Sequence, residues 1–536
     1  MRGSRARVVA IFTVILALIA LSTASTMQAF RDTPARPATA AALAAQQRQA
    51  AESPEARTER TEKAMEAAKA NTGALYAFLR EMPKGGDLHN HDVGAVYAET
   101  MIKFASHDHL CVDRTTMALT EPPCKQGQVD AATSNTDPAL YRDMINAWSM
   151  RDWNKAKGTG HDHFFDTFPK FGLANQGHMG AVFAELANRA ASENVQYLEL
   201  MTTADNAESI GFASKFQWND NFSVMRQQML DGGLQKIVDD AKKNLADWDA
   251  QKDQILDCND ANLEKRQPGC QVTIRHIYPV LRAFDKTQVF AQLLLAFELA
   301  KQDPMDVAVN MVQPEDWLVP MRDFHLHMRM VNFLHEQYPE VHIALHAGEL
   351  APGMVPPEGL RFHIRESIEI GHAERIGHGV DIMYEDRPHE LLAEMAKRNI
   401  LVEICLTSNA YILGIKGKAH PLAMYLKAGV PVALATDDEG VSRSDMTQEY
   451  ERAVLDQGLD YTTLKKMARN SIEHAFLPGD SLWSDARRFV PVRECATDHT
   501  RNATISAPCK AFLKGSEKAQ QEWQLEKKFA DFELKF

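Results

Sequence analysis

The stretch Met82–Gly94, MPKGGDLHNHDVG, ends an apolar approach with two histidines one residue apart. It reads as a short buried strand. Residues i and i+2 of a strand share a face, so His89 and His91 can direct both imidazoles at one metal ion. Taken alone, a His-x-His pair also fits two core histidines hydrogen-bonded in place. The remainder of the chain separates the two readings.

Three more stretches place a polar residue directly after an apolar run: VHIALHAGE (341–349), ERIGHGV (374–380) and VPVALATDDEG (430–440). Each reads as a fully buried parallel strand that gives way to a loop carrying chemistry. With His89 and His91, the residues His346, Glu349, His378, Asp437 and Asp438 supply candidate imidazole and carboxylate ligands and groups suited to proton transfer. Such coincidences at several strand ends point to one site.

Counting outward from Met82, the predicted strands are Gly86–His91, Val195–Met201, Val272–Val280, Asp306–Val312, Val341–His346, Arg375–Gly379, Leu401–Cys405 and Val430–Thr436. Helical patterns separate them, among them Gly180–Ser192, Lys286–Lys301, Met321–Gln337, Pro388–Lys397 and Pro421–Lys427. Eight strand and helix alternations predict an α/β fold, a (β/α)8 TIM-type barrel spanning 74–488. In such a barrel the C-terminal strand ends meet at one mouth, which brings His89, His91, His346, His378 and Asp437 together. An insertion after strand 1 (about 95–159), an N-terminal linker and helical extension (30–73), with a helix from about Glu59 leading to Leu79, and a C-terminal extension (489–536) complete the expected organisation.

The four stretches resemble the metal-binding and catalytic motifs of the adenosine deaminase family, within the amidohydrolase group. The opening MPKGG-x-LH-x-HD-x-G, with Asp92 directly after His91, is most similar to the secreted adenosine deaminase growth factor branch. The resemblance runs from about Ala74 to Pro478. It implies one Zn2+ per chain held by His89, His91, His346 and Asp437, with a position left open for water. It further implies that His378 orients or deprotonates that water, that Glu349 protonates a ring nitrogen and that Asp438 hydrogen-bonds the far edge of the purine. The implied reaction is hydrolytic deamination of adenosine, and of 2'-deoxyadenosine, to inosine and ammonia. In the growth factor branch an N-terminal helix serves dimerisation, so a homodimer is an implied partner.

One stretch departs from the family pattern. Where the family has a glycine after strand 4 offering its N–H to the purine, this chain has VNMVQPED, with Gln313 and Pro314. A backbone donor can survive at Gln313 but not at Pro314. Gln313 and Asp92 are therefore the substrate-binding candidates beside Asp438, Asp92 for a ribose hydroxyl.

Export is the second expectation. Residues 1–29 open with Arg2, Arg5 and Arg7, continue apolar from Val8 to Leu21 and close in small residues, the pattern of a cleaved secretory signal rather than a membrane span. Seven cysteines fall as Cys111 with Cys124, Cys258 with Cys270 and Cys495 with Cys509, leaving Cys405 inside the apolar LVEIC. Three short-range pairs in polar segments read as disulfides of an oxidising compartment, secreted or periplasmic. A net charge of -13 argues against nucleic acid as a partner. No membrane contact is expected once the signal is removed.

Other histidines read differently. His325 and His327 lie in a helical pattern, where residues two apart point away from each other and cannot chelate one ion. His107 with His109, and His161 with His163, lie in polar connecting segments, and His420 supports a loop. Asn502-Ala-Thr504 matches a glycosylation acceptor. The competing functional readings are a deaminase of another aminopurine and an extracellular binding protein on the same barrel. The His-x-Glu and Pro-Cys-x-x-Cys signature of the cytidine-deaminase type is absent.

Overall fold

The eight expected strands occur in a computed structural model that describes residues 53–498, 500 and 504–536. They are β1 (Gly85–His91), β2 (Val195–Met201), β3 (Thr273–Leu281), β4 (Asp306–Val312), β5 (His342–Ala347), β6 (Arg375–His378), β7 (Leu401–Ile404) and β8 (Val432–Leu434). Hydrogen bonding follows chain order from β1 to β8, and every pairing along it is parallel. The circle closes where Asn90 bridges Asp437 and the Asp437 N–H donates to the His89 carbonyl at 2.9 Å. The chain is a (β/α)8 barrel.

Around it stand α1 (Met179–Ser192), α2 (Leu234–Ile255), α3 (Lys286–Gln302), α4 (Leu318–Gln337), α5 (His363–Glu369), α6 (Pro388–Arg398), α7 (Leu422–Ala428) and α8 (Tyr461–Glu473). Their starts have local causes. At α3, Asp285 accepts the Thr287 N–H at 2.9 Å while Gln288 accepts the Asp285 N–H at 3.2 Å, a reciprocal box that satisfies donors the first turn would leave free. Strand β2 is buried along its whole length, Gln196 and Glu199 included, as a parallel strand covered on both faces is.

The largest boundary difference is at β8, where the expected strand 430–436 shortens to three residues, beyond which the Ala435 N–H still donates to the Ile404 carbonyl and the Asp437 N–H to the His89 carbonyl. At the other end, the single helix expected from Glu59 to Leu79 is two, Pro54–Ala68 and Thr72–Glu81, interrupted where the Asn71 side chain accepts the Ala74 N–H at 3.0 Å. The chain divides into units 1–57 and 58–536, and only residues 53–57 of the first are described. Within the second, Lys465 Nζ, Tyr461 OH and Thr58 Oγ1 converge on Glu533 Oε1 at 2.6, 3.0 and 3.1 Å, which fastens the C-terminal helix Glu517–Glu533 beside α8. The expected signal segment and Asn502 lie outside the described residues.

Between β1 and α1 the chain builds a helix (Ala98–His107), a three-stranded antiparallel sheet centred on Cys111–Asp113 and a helix (Pro138–Ala147). It then continues through two short helices, Gly160–Phe165 and Phe168–Phe171. Disulfides join Cys111 to Cys124, Cys258 to Cys270 and Cys495 to Cys509, with Cα atoms 5.2, 5.3 and 4.6 Å apart, and Cys405 is a buried free thiol. Among the described residues no helix is long and apolar enough to cross a membrane.

Candidate active site at the barrel mouth

His89, on β1, points its Nδ1 at Glu403 Oε2, 2.7 Å away on β7. Its other nitrogen, Nε2, is buried without a hydrogen-bond partner and lies 3.6 Å from Asp437 Oδ1. His91, two residues on, brings Nε2 to 3.3 Å from the same oxygen and 3.2 Å from His346 Nε2. His346, on β5, is held from behind by the Asn310 carboxamide oxygen at 2.8 Å from its Nδ1. His378 Nε2 lies 4.0 Å from Asp437 Oδ2. Ligand atoms of His89, His346, His378 and Asp437 all fall within 4.8 Å of one another.

This donor set fits a divalent metal. Two imidazole nitrogens 3.2 Å apart, an unpartnered Nε2 and one carboxylate form a cluster that repels itself unless the rings stay neutral or a cation sits among them. Burial keeps three of the rings neutral, pushing His91 down to about 4, His378 down to about 3 and His346 well below its ordinary value, whereas for His89 burial is outweighed by Glu403 and Asp437, which raise it. Burial alone would raise Asp437, but His378, His91 and His89 together hold it at about 2. The outward nitrogens of His89 and His346 have fixed partners in Glu403 and Asn310, the arrangement that sets ring orientation in metal sites.

A chain of hydrogen bonds sets the tautomer of His378. The Leu422 N–H donates to His420 Nδ1 at 3.2 Å, and burial pushes His420 down to about 4, so its proton sits on Nε2. That Nε2 meets Asn409 Oδ1 at 3.0 Å, which turns the Asn409 amide so that Nδ2 donates to His378 Nδ1, also at 3.0 Å. His378 therefore carries its proton on Nε2, the nitrogen facing Asp437. His420, expected to support a loop, bonds to Asn409 and through it to His378.

Glu349 and Asp438 stand in the same cavity, which has a volume of about 450 Å³ and is lined also by Asp92, Gln313, Phe165, Phe168 and Trp317. Glu349 Oε1, Asp438 Oδ1 and Asp92 Oδ2 are buried with no partner in the protein. Burial first, and the negative charge of Asp437 second, raise both Glu349 and Asp438 well above the carboxylate range. Gly94 permits the close approach of the loop after β1, since a Cβ there would stand 1.6 Å from Asp438 Oδ1. The Glu349 backbone is clamped: Glu315 Oε2 accepts its N–H at 2.7 Å, Oε1 accepts that of Gly348 at 3.2 Å, and Arg282 donates to the His346 carbonyl at 3.2 Å.

Gln313 explains the departure in the VNMVQPED stretch. Its φ is +81°, the left-handed region in which a glycine is at ease, so the turn after β4 keeps a glycine's backbone shape without the glycine. Its carbonyl accepts from Arg282 Nε at 2.9 Å and its Oε1 from the Ala283 N–H at 2.8 Å, contacts that hold the strained turn. His378 and Asp437 are left-handed too, at φ +69° and +60°.

Every residue singled out from the motifs thus lies at this mouth, while His325 and His327 do not: one pairs with Glu366 and the other is buried in α4. Sequence reading missed Glu403, Asn310, Asn409, Arg282 and Glu315, and the roof of Phe164, Phe165, Phe168 and Trp317. For Glu403 and Asn310 a signal existed, a polar residue inside the apolar runs LVEIC and VAVNMV.

Residues 237–483 match the family model described as Adenosine deaminase. An adenosine deaminase of Escherichia coli is 40% identical over 140 residues, 26% of this chain and 39% of that protein. One from Clostridium perfringens is 33% identical over 135 residues, 25% of this chain and 37% of that one. The aligned part spans about two fifths of the length of these curated relatives. Among solved structures, an adenine deaminase from Arthrobacter aurescens superposes with a TM-score of 0.48 at 17% identity, covering 76% of this chain and 96% of the other. His346, Glu349, His378, Asp437 and Asp438 all lie inside residues 237–483, the part of the chain that is similar to the adenosine deaminase family.

Proposed function

We propose that the protein is an exported, zinc-dependent hydrolase that deaminates adenosine, and 2'-deoxyadenosine, to inosine and ammonia. The observation that carries this reading is the cavity itself, in which a histidine and aspartate cluster with an unpartnered Nε2 faces a buried Glu349 across a space of about 450 Å³. His89, His91, His346 and Asp437 would hold the zinc, which supplies a Lewis acid that makes water nucleophilic at neutral pH. His378, with its proton on Nε2, acts as the orienting donor toward the attacking oxygen. Glu349, protonated by its burial, gives its proton to the ring nitrogen next to the amino-bearing carbon and so draws electrons from that carbon. Asp438 binds the far edge of the purine, Asp92 a ribose hydroxyl and the Gln313 backbone the remaining edge. The phenylalanine roof excludes water over the base.

No Lys or Arg lines the cavity, so a nucleoside suits it better than a nucleotide, whose phosphate would meet Asp92, Asp437 and Asp438 without a counter-charge. Three disulfides and the arginine-led apolar N-terminus support export. Ammonia release by the purified protein from adenosine, adenine, AMP and N6-methyladenosine, with and without added zinc, tests the assignment. Adenosine should be turned over fastest by at least tenfold. Preference for AMP or adenine would replace the substrate, and binding of adenosine without ammonia release would favour the binding-protein reading.

A further inference from the structure

We propose that His107, Asp108 and His178 form a second metal site, for a divalent transition-metal ion of the zinc type, that staples the lobe inserted after β1 to helix α1. The three residues come from two separate elements. His107 is the last residue of the helix Ala98–His107, Asp108 caps it, and His178 directly precedes α1. Asp108 stands between the rings, with Oδ1 2.7 Å from His107 Nδ1 and Oδ2 2.7 Å from His178 Nε2.

The two 2.7 Å contacts bring the donor atoms close to the spacing an ion needs. One ligand atom from each residue falls within 4.8 Å of the others. A tetrahedral shell with bonds of about 2.0 Å needs ligand atoms about 3.3 Å apart, so a small opening of the carboxylate admits the cation. The His178 ring is fixed by stacking on Phe104, centroids 4.4 Å apart and planes within 1°, and the His107 ring meets it edge-on at 86°. Two ring nitrogens and a carboxylate are therefore presented together, with the carboxylate between the two rings.

The electrostatics point the same way. Asp108 lies at the C-terminal end of its helix, where unpaired carbonyls disfavour a carboxylate. A divalent cation bound there satisfies both the carboxylate and the helix end. His107 is 77% exposed and His178 19%, so the ion would keep water on its open side. The segment enclosed by this staple, from Asp108 to His178, carries Phe164, Phe165 and Phe168 of the cavity roof. Ion binding would hold the two ends of that segment together.

The test uses the untagged mature chain with its barrel metal in place. Zinc is titrated calorimetrically into wild type and into a His107→Gln, His178→Gln double variant, and metal per chain is counted after desalting. Wild type should take up one ion more than the double variant, and its thermal midpoint should rise with added zinc while that of the variant does not. With Cu2+ in place of zinc, the electron-resonance spectrum of the added ion should show coupling to two nitrogens. Equal uptake by both proteins, or a copper spectrum unchanged by the substitutions, overturns the site. Because only the difference between the two proteins is read, the result is independent of which metal, if any, the barrel holds.

Discussion

The Arg375 network low in the barrel and the barrel mouth treat buried charge in opposite ways. Toward the N-terminal floor, Arg375 donates to Glu403 Oε1 at 2.7 Å, Glu199 Oε2 at 2.5 Å and the His474 carbonyl at 3.0 Å. Lys84 nearby spends its three protons on the carbonyls of Leu79, Met82 and Glu193, at 2.6, 3.0 and 2.6 Å. At the mouth, His89 Nε2, Glu349 Oε1, Asp438 Oδ1 and Asp92 Oδ2 have no partner, and three wall residues take left-handed backbone. The charges of Arg375 and Lys84 are saturated and hold strands together, although Asp306 at the start of β4 keeps both carboxylate oxygens without a partner in the protein. At the mouth charge is left unsatisfied for a ligand to complete, and strain of order 1–3 kcal/mol per residue accumulates there. Glu403 belongs to both, with one oxygen on Arg375 and the other on His89.

The contrast can be broken at either end. Arg375→Met leaves Glu199 and Glu403 buried and uncompensated, and should cost about 3–5 kcal/mol of stability, read as a fall in the urea midpoint. A loss below about 1 kcal/mol would mean the floor charges do not hold the strands. Glu349→Gln keeps shape but removes the acid, so turnover of adenosine should fall roughly a hundredfold or more with metal content unchanged. Near-normal turnover would make Glu349 structural. Glu403→Gln weakens the support of His89, and metal affinity in competition with a chelator should drop about tenfold to a hundredfold while the fold survives. Unaltered affinity would separate Glu403 from the mouth. Smallest is Asn409→Asp, which replaces the donor to His378 by an acceptor and moves the ring proton to Nδ1. The kcat should fall about tenfold with KM little changed, and equal kcat would show that the tautomer does not matter.

Much of the mouth was legible because its residues end apolar runs. A chain can show His346 and Glu349 after VHIAL, and His378 after ERIG, without any knowledge of tertiary structure. What supports them was not, because support comes from other strands. Glu315 clamps Glu349 from the loop after β4, Asn310 holds His346 across one strand interval, and His420 acts on His378 only through Asn409. No periodicity relates such pairs. The glycine-like turn at Gln313 was hidden for a different reason, since residue identity reports backbone preference and here tertiary contacts override it. The roof was hidden because Phe164, Phe165 and Phe168 look like an ordinary apolar helix face until the barrel lies beneath them.

The disulfides carry a consequence for how the chain reaches its native covalent state. Each joins consecutive cysteines, separated by 13, 12 and 14 residues in turn, so a chain threaded into an oxidant from its N-terminus completes each bridge before the next pair arrives. Nearest-neighbour pairing is then also the native pairing. Only Cys405, arriving between the second pair and the third, interrupts the order. The fold withdraws it: β7 and the helix that follows bury its sulfur, and burial raises the thiol well above its ordinary range, so little reactive thiolate is present when Cys495 and Cys509 meet.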